Sequence, residues 1–258
     1  LVACSGGVDS MALALALASA TPHLAIAHII HDMRPRSEAL ASRDAAKDLA
    51  TRLDLPFVER EIAAKAKGHN YEARARTLRY AALESIAKDH ACPFIATAHH
   101  ADDNNETLLM NFFRGSGIHG LTGIPERNDY IRRPLLDFTK EELIVFANDH
   151  QLTYVEDSSN LSSKYTRNFF RNELLPAISK VYPQMNGNLQ DNISRFKEVE
   201  KLYQYAVSDL KKKLCRQKGE EVHIPVKQLL QLNNKAFFYE LILDYGFGEK
   251  QVEELIRL

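Results

Sequence analysis

Along roughly the first 137 residues, short apolar runs rich in β-branched residues alternate with longer stretches in which apolar positions recur every three or four residues. The runs are VAC at 2–4, LAIAHI at 24–29, PFVERE at 56–61 and PFIATAH at 93–99, and each precedes a helical pattern, at 9–20, 38–53, 71–89 and 103–114. This order predicts βα units and a parallel sheet covered by helices on both faces. Gly115, Gly117, Gly120, Gly123 and Pro125 then crowd together, which predicts a loop rather than a strand. Beyond Pro134 helix formers dominate, with helices expected at 139–150, 167–180, 188–217 and 235–258. The fold class is therefore α/β, a parallel-sheet domain over 1–185 followed by a smaller helical domain over 186–258.

Composition narrows the function classes. The chain has 258 residues, 45% hydrophobic and 26% charged, which disfavours disorder, fibrous repeats and a coiled-coil rod. The longest apolar run, Met11 to Ala18, is far short of the roughly 20 residues that cross a bilayer, so no membrane association is expected. Three scattered cysteines, Cys4, Cys92 and Cys215, argue against a disulfide framework and a C-x-x-C metal site, and favour a reducing compartment. The chain opens inside a strand without an initiator methionine, so the expected cytoplasmic location leans on the cysteines. A net charge of −1 gives no global attraction to nucleic acid. One local exception is 195–218, where eight lysines and arginines face three acids. Such a face is commonly just solvated.

Two clusters carry candidate chemistry. Ser5-Gly6-Gly7-Val8-Asp9-Ser10 lies between an apolar strand and an Ala/Leu-rich helix. Adjacent glycines allow close backbone approach, and a helix N-terminus offers unpaired N–H groups to an anion. Asp9 would repel a polyphosphate unless Mg²⁺ lay between them. The plain alternative is a serine-rich turn with Asp9 capping the helix. No Walker G-x-x-x-x-G-K-[ST] pattern is present. The second cluster, HHADDNNET at 99–107, starts at a strand's C-terminal end, where open α/β sheets bind ligands. Asp103 and Glu106, three apart, share a helix face, as do Asp102 and Glu106, four apart. The acidic pocket suits a metal or an ammonium group. A metal-hydrolase reading of His99, His100, Asp102 and Asp103 is weakened by adjacent histidines that point in opposite directions from a strand end.

SGGVDS after a strand resembles the loop of the PP-loop ATP pyrophosphatases. Together with HHADDNNET, GSGIHGLTGI, RRPLL at 132–136 and EDSSN(x4)YTRNFFRNELLP at 156–176, the chain resembles bacterial tRNA(Ile)-lysidine synthetases over nearly all of 1–185. The resemblance implies an ATP-dependent ligase that adenylates the wobble cytidine of the CAU anticodon of tRNA(Ile), attaches L-lysine, and releases AMP and pyrophosphate. It implies ATP contacts from Ser5, Gly6, Gly7, Asp9 and Ser10, with Mg²⁺ reached by Asp9 through ATP, and an adenine site near Ala27 and His28. Asp103, Arg171 and Asp9 become the catalytic candidates, and Asp103, Glu106 and Arg79 the lysine-binding ones. Arg76 and Arg79 stand on neighbouring positions of a helix that the family places in the site wall; a solvated arginine face is the alternative. Lys211, Lys212 and Lys213 are expected to contact tRNA backbone. Where the family usually reads HHGLR, this chain has His31-Asp32-Met33-Arg34, and no role is carried onto Asp32. The alternatives are another PP-loop tRNA modifier such as a 2-thiocytidine synthetase, which would want a C-x-x-C pair, and a tRNA-binding module with a dead nucleotide fold. Oligomeric state is open, a homodimer included.

Overall fold

The computed structural model describes residues 1–32, 35–63, 71–156, 166–243 and 245–257. The Met33-Arg34 part of the family departure and the stretch 157–165 of the EDSSN…YTRN motif lie outside the described residues. Two compact units divide at Ile193 and Ser194.

Unit 1 is built on a six-stranded sheet. Its strands are β1 (Val2–Ala3), β2 (Ile26–His31), β3 (Phe57–Ile62), β4 (Ile95–Ala96), β5 (Arg127–Asn128) and β6 (Ile131–Arg132). They lie in the order β3-β2-β1-β4-β6-β5, with every pair parallel except the β5/β6 hairpin. The helices α1 (Val8–Ala20), α2 (Arg36–Arg52), α3 (Tyr71–Asp89) and α4 (Ala101–Phe113) begin and end within about two residues of the predicted patterns. The alternation along the strands explains the two-sided core. Val2, Ile26 and Ala96 join α1, α2 and the capped helix α6 (Lys140–Asp149) in one cluster, whereas Leu1, Ala25, Ala27 and Ile95 join Leu83, Ile86 and Ala87 of α3 in another.

The glycine-rich segment contains a short helix, α5 (Ile118–Leu121), and β5 and β6 follow it, which corrects the expectation of a plain loop there. These strands are two residues long, too short for any alternation to register. The helix expected at 167–180 is a composite: α7 (Thr166–Phe169), a π-helical turn over Phe170–Leu174, and α8 (Leu175–Val181).

The helix α9 (Met185–Leu214) runs from unit 1 into unit 2, so the compact units part inside a continuous helix. It ends before residue 217. Arg216–Lys218 (β7) instead pairs antiparallel with Glu221–His223 (β8). These strands are almost wholly exposed and polar, which hides their period of two. The long terminal helix expected over 235–258 is two, α11 (Lys235–Leu243) and α12 (Glu249–Arg257), broken around Gly246 and Gly248, and a shorter α10 (Val226–Gln231) precedes them. Val207, Leu214, Phe237 and Leu241 form this unit's own core. No helix among the described residues is long and apolar enough to cross a membrane.

Candidate active site at the switch point of the sheet

The chain winds from β1 outward to β2 and β3, then returns past β1 to β4. The crevice beyond the C-terminal ends of β1 and β4 is therefore the topological switch point, where open α/β sheets hold ligands. Both sequence clusters open onto it, one following β1 and the other following β4.

The first turn is shaped by glycine geometry. Gly6 has φ +83°, and a Cβ there would lie 2.3 Å from the Ser42 carbonyl oxygen of α2. Only glycine permits that approach in that conformation. Gly7 caps α1 in extended backbone without a side-chain cap, so the helix N-terminus faces the crevice with unpaired N–H groups. Ser10 is buried, accepts from the Ser5 amide at 3.0 Å and donates to the Gly7 carbonyl at 2.9 Å. Its single hydroxyl proton is thus committed to the loop. Ser10 thereby holds the turn in shape, whereas the exposed Ser5 hydroxyl remains at the rim.

A cavity of about 320 Å³ lies over this turn, lined by Ser5, Asp9, Ala27, His28, Arg79 and Asp103 among others. Its size suits a small ligand. Ala27 and His28 sit at its floor, and His28 Nδ1 lies 2.9 Å from the Cys4 carbonyl oxygen, which requires the proton on Nδ1. Arg76 and Arg79 of α3 both reach the wall, beside the ring of Tyr80 at 5.1 and 5.9 Å. Both are exposed side chains at the cavity mouth. Arg167, which carries no expected role, lines the same space.

Glu106 does not face an open acidic pocket. It is 1% exposed and gripped by two arginines of its own chain: Arg171 Nε donates to Oε1 at 2.6 Å, and Arg167 Nε donates to Oε2 at 3.0 Å. Arg171 also donates to Asp103 Oδ1 at 2.9 Å, and Arg167 to the Thr107 hydroxyl at 3.1 Å. In this structure Glu106 anchors Arg167 and Arg171. The π-helical turn beginning at Phe170 helps to set where Arg171 falls relative to Arg167, and such turns recur at functional sites. A second cavity of about 440 Å³ opens on the other side of this ion-pair cluster, lined by His100, Asp102, Lys140 and Arg171. Arg167 and Arg171 thus face different cavities across one shared carboxylate.

The two histidines part as expected for adjacent residues. Burial pushes His99 down to about 4, and Arg133, Arg167 and Arg76 add to this against the opposing pull of Asp103. Burial also acts to lower His100, but Asp102, Asp103 and Asp9 outweigh it and raise its pKa above the ordinary value. Asp103, although burial acts to raise it, is held below its ordinary value by His100, Arg167, His99 and Arg171. The site therefore places on adjacent residues one imidazole that burial keeps neutral and one whose protonated form the neighbouring carboxylates favour.

Asp9 has one carboxylate oxygen 2.6 Å from Lys140 Nζ, at the start of α6, and the other 3.8 Å from His100 Nε2. Lys140 carries no motif that would have identified it. Its amide also donates to Asp102 at 2.7 Å, which fixes the entry of α6 against α4. No group of three or more His, Cys, Asp or Glu side chains among the described residues could cage a metal. Mg²⁺ needs no such cage when phosphates supply ligands. A carboxylate already holding an ammonium fits that shared mode. Lys211, Lys212 and Lys213 lie in unit 2, in the last turn of α9, where positive charge complements the helix C-terminus, and Lys213 pairs with Asp209 at 2.7 Å.

A family model described as PP-loop domain matches residues 1–178, and one described as TilS substrate binding domain matches residues 217–258. The tRNA(Ile)-lysidine synthase of Porphyromonas gingivalis strain W83 is 33% identical over 263 residues, covering 99% of this chain and 56% of that protein. Its counterpart in Bacteroides thetaiotaomicron is 34% identical over 260 residues, covering 99% and 60%. That in Enterococcus faecalis is 31% identical over 285 residues, covering 100% and 59%. The chain thus spans between half and two thirds of the length of these relatives. Among solved structures, a U34-tRNA thiolase, NcsA from Methanococcus maripaludis with its [4Fe-4S] cluster, superposes with a TM-score of 0.62 at 16% identity, covering 76% of this chain and 70% of that one. That likeness concerns the fold. With the PP-loop model matched over well more than half its length, around a glycine turn at the switch point of a parallel sheet, this chain belongs to the PP-loop domain family.

Proposed function

We propose that the chain carries the catalytic part of a tRNA(Ile)-lysidine synthase, an ATP-dependent ligase that joins L-lysine to the wobble cytidine of the CAU anticodon of tRNA(Ile). The observation that carries this reading is the convergence of an anion-binding turn, a half-buried carboxylate and two arginine-bearing walls on one crevice. The near full-length alignment with relatives of that name supports the substrate.

In this reaction the C2 oxygen of cytidine attacks the α-phosphorus of ATP and pyrophosphate leaves. The side-chain amine of lysine then attacks C2, the bond from C2 to the adenylate oxygen breaks, AMP departs, and the amine gives up its protons. The Gly6-Gly7 turn and the N-terminus of α1 would hold the pyrophosphate, with the adenine near Ala27 and His28. Asp9 would hold Mg²⁺, which when bound supplies charge neutralisation for the leaving group. Arg167, Arg171 and Lys140 would add fixed positive charge in a partly desolvated site. Asp103 remains the carboxylate that faces the cavity, where it can hold the lysine ammonium and later accept its proton. A carboxylate beside an ammonium keeps that amine charged, so one group serves both ends only by taking the proton itself. Arg79, on the opposite wall, suits the α-carboxylate of lysine. Unit 2, with its three C-terminal lysines on α9, would meet the tRNA.

The test is incubation of the purified chain with ATP, Mg²⁺, lysine and tRNA(Ile), followed by nucleoside mass spectrometry. A lysine-modified cytidine is the expected product, and it requires all four components. Unmodified cytidine in every reaction, or a sulfur-containing product when a sulfur donor is present, would overturn the reading.

A further inference from the structure

On unit 1, the C-terminal end of α4 and the start of the π-helical turn present four phenylalanines. Phe112 and Phe113 are 62% and 65% exposed, and Phe169 is 42% exposed. Phe113 meets Phe112 edge-on at 5.7 Å and lies 6.0 Å from the buried Phe170, which in turn lies 6.3 Å from Phe169. The buried ring meets Phe113 and Phe169, and Phe112 joins through Phe113, so the rings form a chain of contacts across two elements. Three large rings left in water at one place need an occupant more than scattered surface apolar residues do.

The surrounding charge identifies its class. Segments 107–125 and 166–172 carry no aspartate or glutamate, with Glu126 and the exposed Glu173 directly beyond them, and the first carries Arg114, exposed and without an ion pair among the described residues. The next stretch, Gly115 to Gly117, is exposed and has open space around both glycines. Exposed rings beside a guanidinium without an ion pair match an unpaired polyanion whose bases stack while its phosphates meet arginine. A protein partner would be matched by the rings alone and leaves the guanidinium unexplained. Phe113 stands about 10 Å along α4 from Glu106, close enough for a strand entering the crevice to cross it.

We propose that Phe112, Phe113 and Phe169, with Arg114, form a stacking platform for unpaired bases of single-stranded RNA flanking the nucleotide that reacts. This rests on the reading of the chain as a tRNA-modifying ligase and adds the subsite that holds the neighbouring bases.

The experiment measures binding of the full chain to a hairpin RNA whose loop carries CAU with 2-aminopurine at flanking positions, and to a blunt RNA duplex. Wild type is compared with Phe112→Ala, with the double variant Phe112→Ala/Phe169→Ala, and with Phe112→Tyr. Removing the rings should weaken the hairpin about tenfold or more and restore 2-aminopurine fluorescence. Duplex affinity and the salt slope should stay unchanged, and Phe112→Tyr should retain binding. Phe112 projects from the surface, so the single variant should melt as wild type does and report even if the double variant misfolds. Unchanged hairpin affinity in Phe112→Ala, equal losses for hairpin and duplex, or Phe112-dependent self-association of a chain that ignores RNA would each overturn the platform. The two readings separate cleanly. Lysine transfer with ring-independent hairpin binding removes the platform alone, whereas ring-dependent binding without lysine transfer removes the ligase reading alone.

Discussion

Glu106 and His99 show how single residues acquire roles that their spacing does not announce. Glu106 shares a helix face with Asp103, as three-residue spacing requires, but two guanidinium groups neutralise it inside the protein. Glu106→Ala should lower the unfolding free energy in urea by about 3 kcal/mol, because two partly buried cations lose their anion. The milder Glu106→Gln should weaken ATP and lysine together by calorimetric titration; a loss confined to lysine would restore the direct role that the sequence suggests. His99 gives a pH dependence with a definite sign. Its pKa is depressed to about 4 in the folded protein against 6.5 unfolded, so between those values the unfolded chain binds the extra proton. Stability should fall as pH drops through that window, by up to about 1.4 kcal/mol per unit. His99→Gln, which can keep a hydrogen bond to Thr97, should flatten the decline when urea midpoints are compared at pH 7, 6 and 5. Asp102 and Asp103 act in the same direction at lower pH. Their depressed values give stability that is present above 3.8 and lost as the pH falls through their folded pKa.

Among the elements, the βα units were legible because each pairs a compact apolar run with a helical period, and the alternation survives in the burial of Val2, Ile26 and Ile95. The two hairpins and the π-helical turn were not. Arg216–Lys218 and Glu221–His223 bury too little to leave a pattern, and the π turn over Phe170–Leu174 has no period that separates it from the helical turns on either side. The phosphate turn lies between these cases: its glycines are visible, while the reason for each is tertiary. Gly6→Ala would place a methyl group against the Ser42 backbone at positive φ and should cost more than about 2 kcal/mol, with loss of the ATP-dependent thermal shift. Gly7→Ala meets nothing closer than the Ser5 hydroxyl at 3.7 Å, at φ −84°, and should melt close to wild type. Equal destabilisation by both would sink the account of α2 packed against the turn.

At the scale of the whole molecule, the proposed tRNA substrate requires a chain of net charge −1 to gather positive charge locally. Neutralising Lys211, Lys212 and Lys213 together should weaken all tRNAs alike and lower the slope of log affinity against log salt by about two, since Lys213 already pairs with Asp209. An unchanged slope would leave these lysines as complements to the end of α9. ATP binding should be unaffected, because the turn proposed to hold it belongs to the other compact unit. The sequence by itself determined the fold class, the anion turn after β1, the acidic cluster after β4 and the resemblance to lysidine synthetases, because each is written in local periodicity or in contiguous residues. The tertiary structure alone decided that Glu106 anchors arginines, that Lys140 sits on Asp9 from a helix 131 residues away, that Ser10 spends its proton on the loop, and that four phenylalanines from two segments form one surface. Charge neutralisation, proton commitment and ring contact depend on distances between groups remote in sequence, and only the folded chain sets those distances.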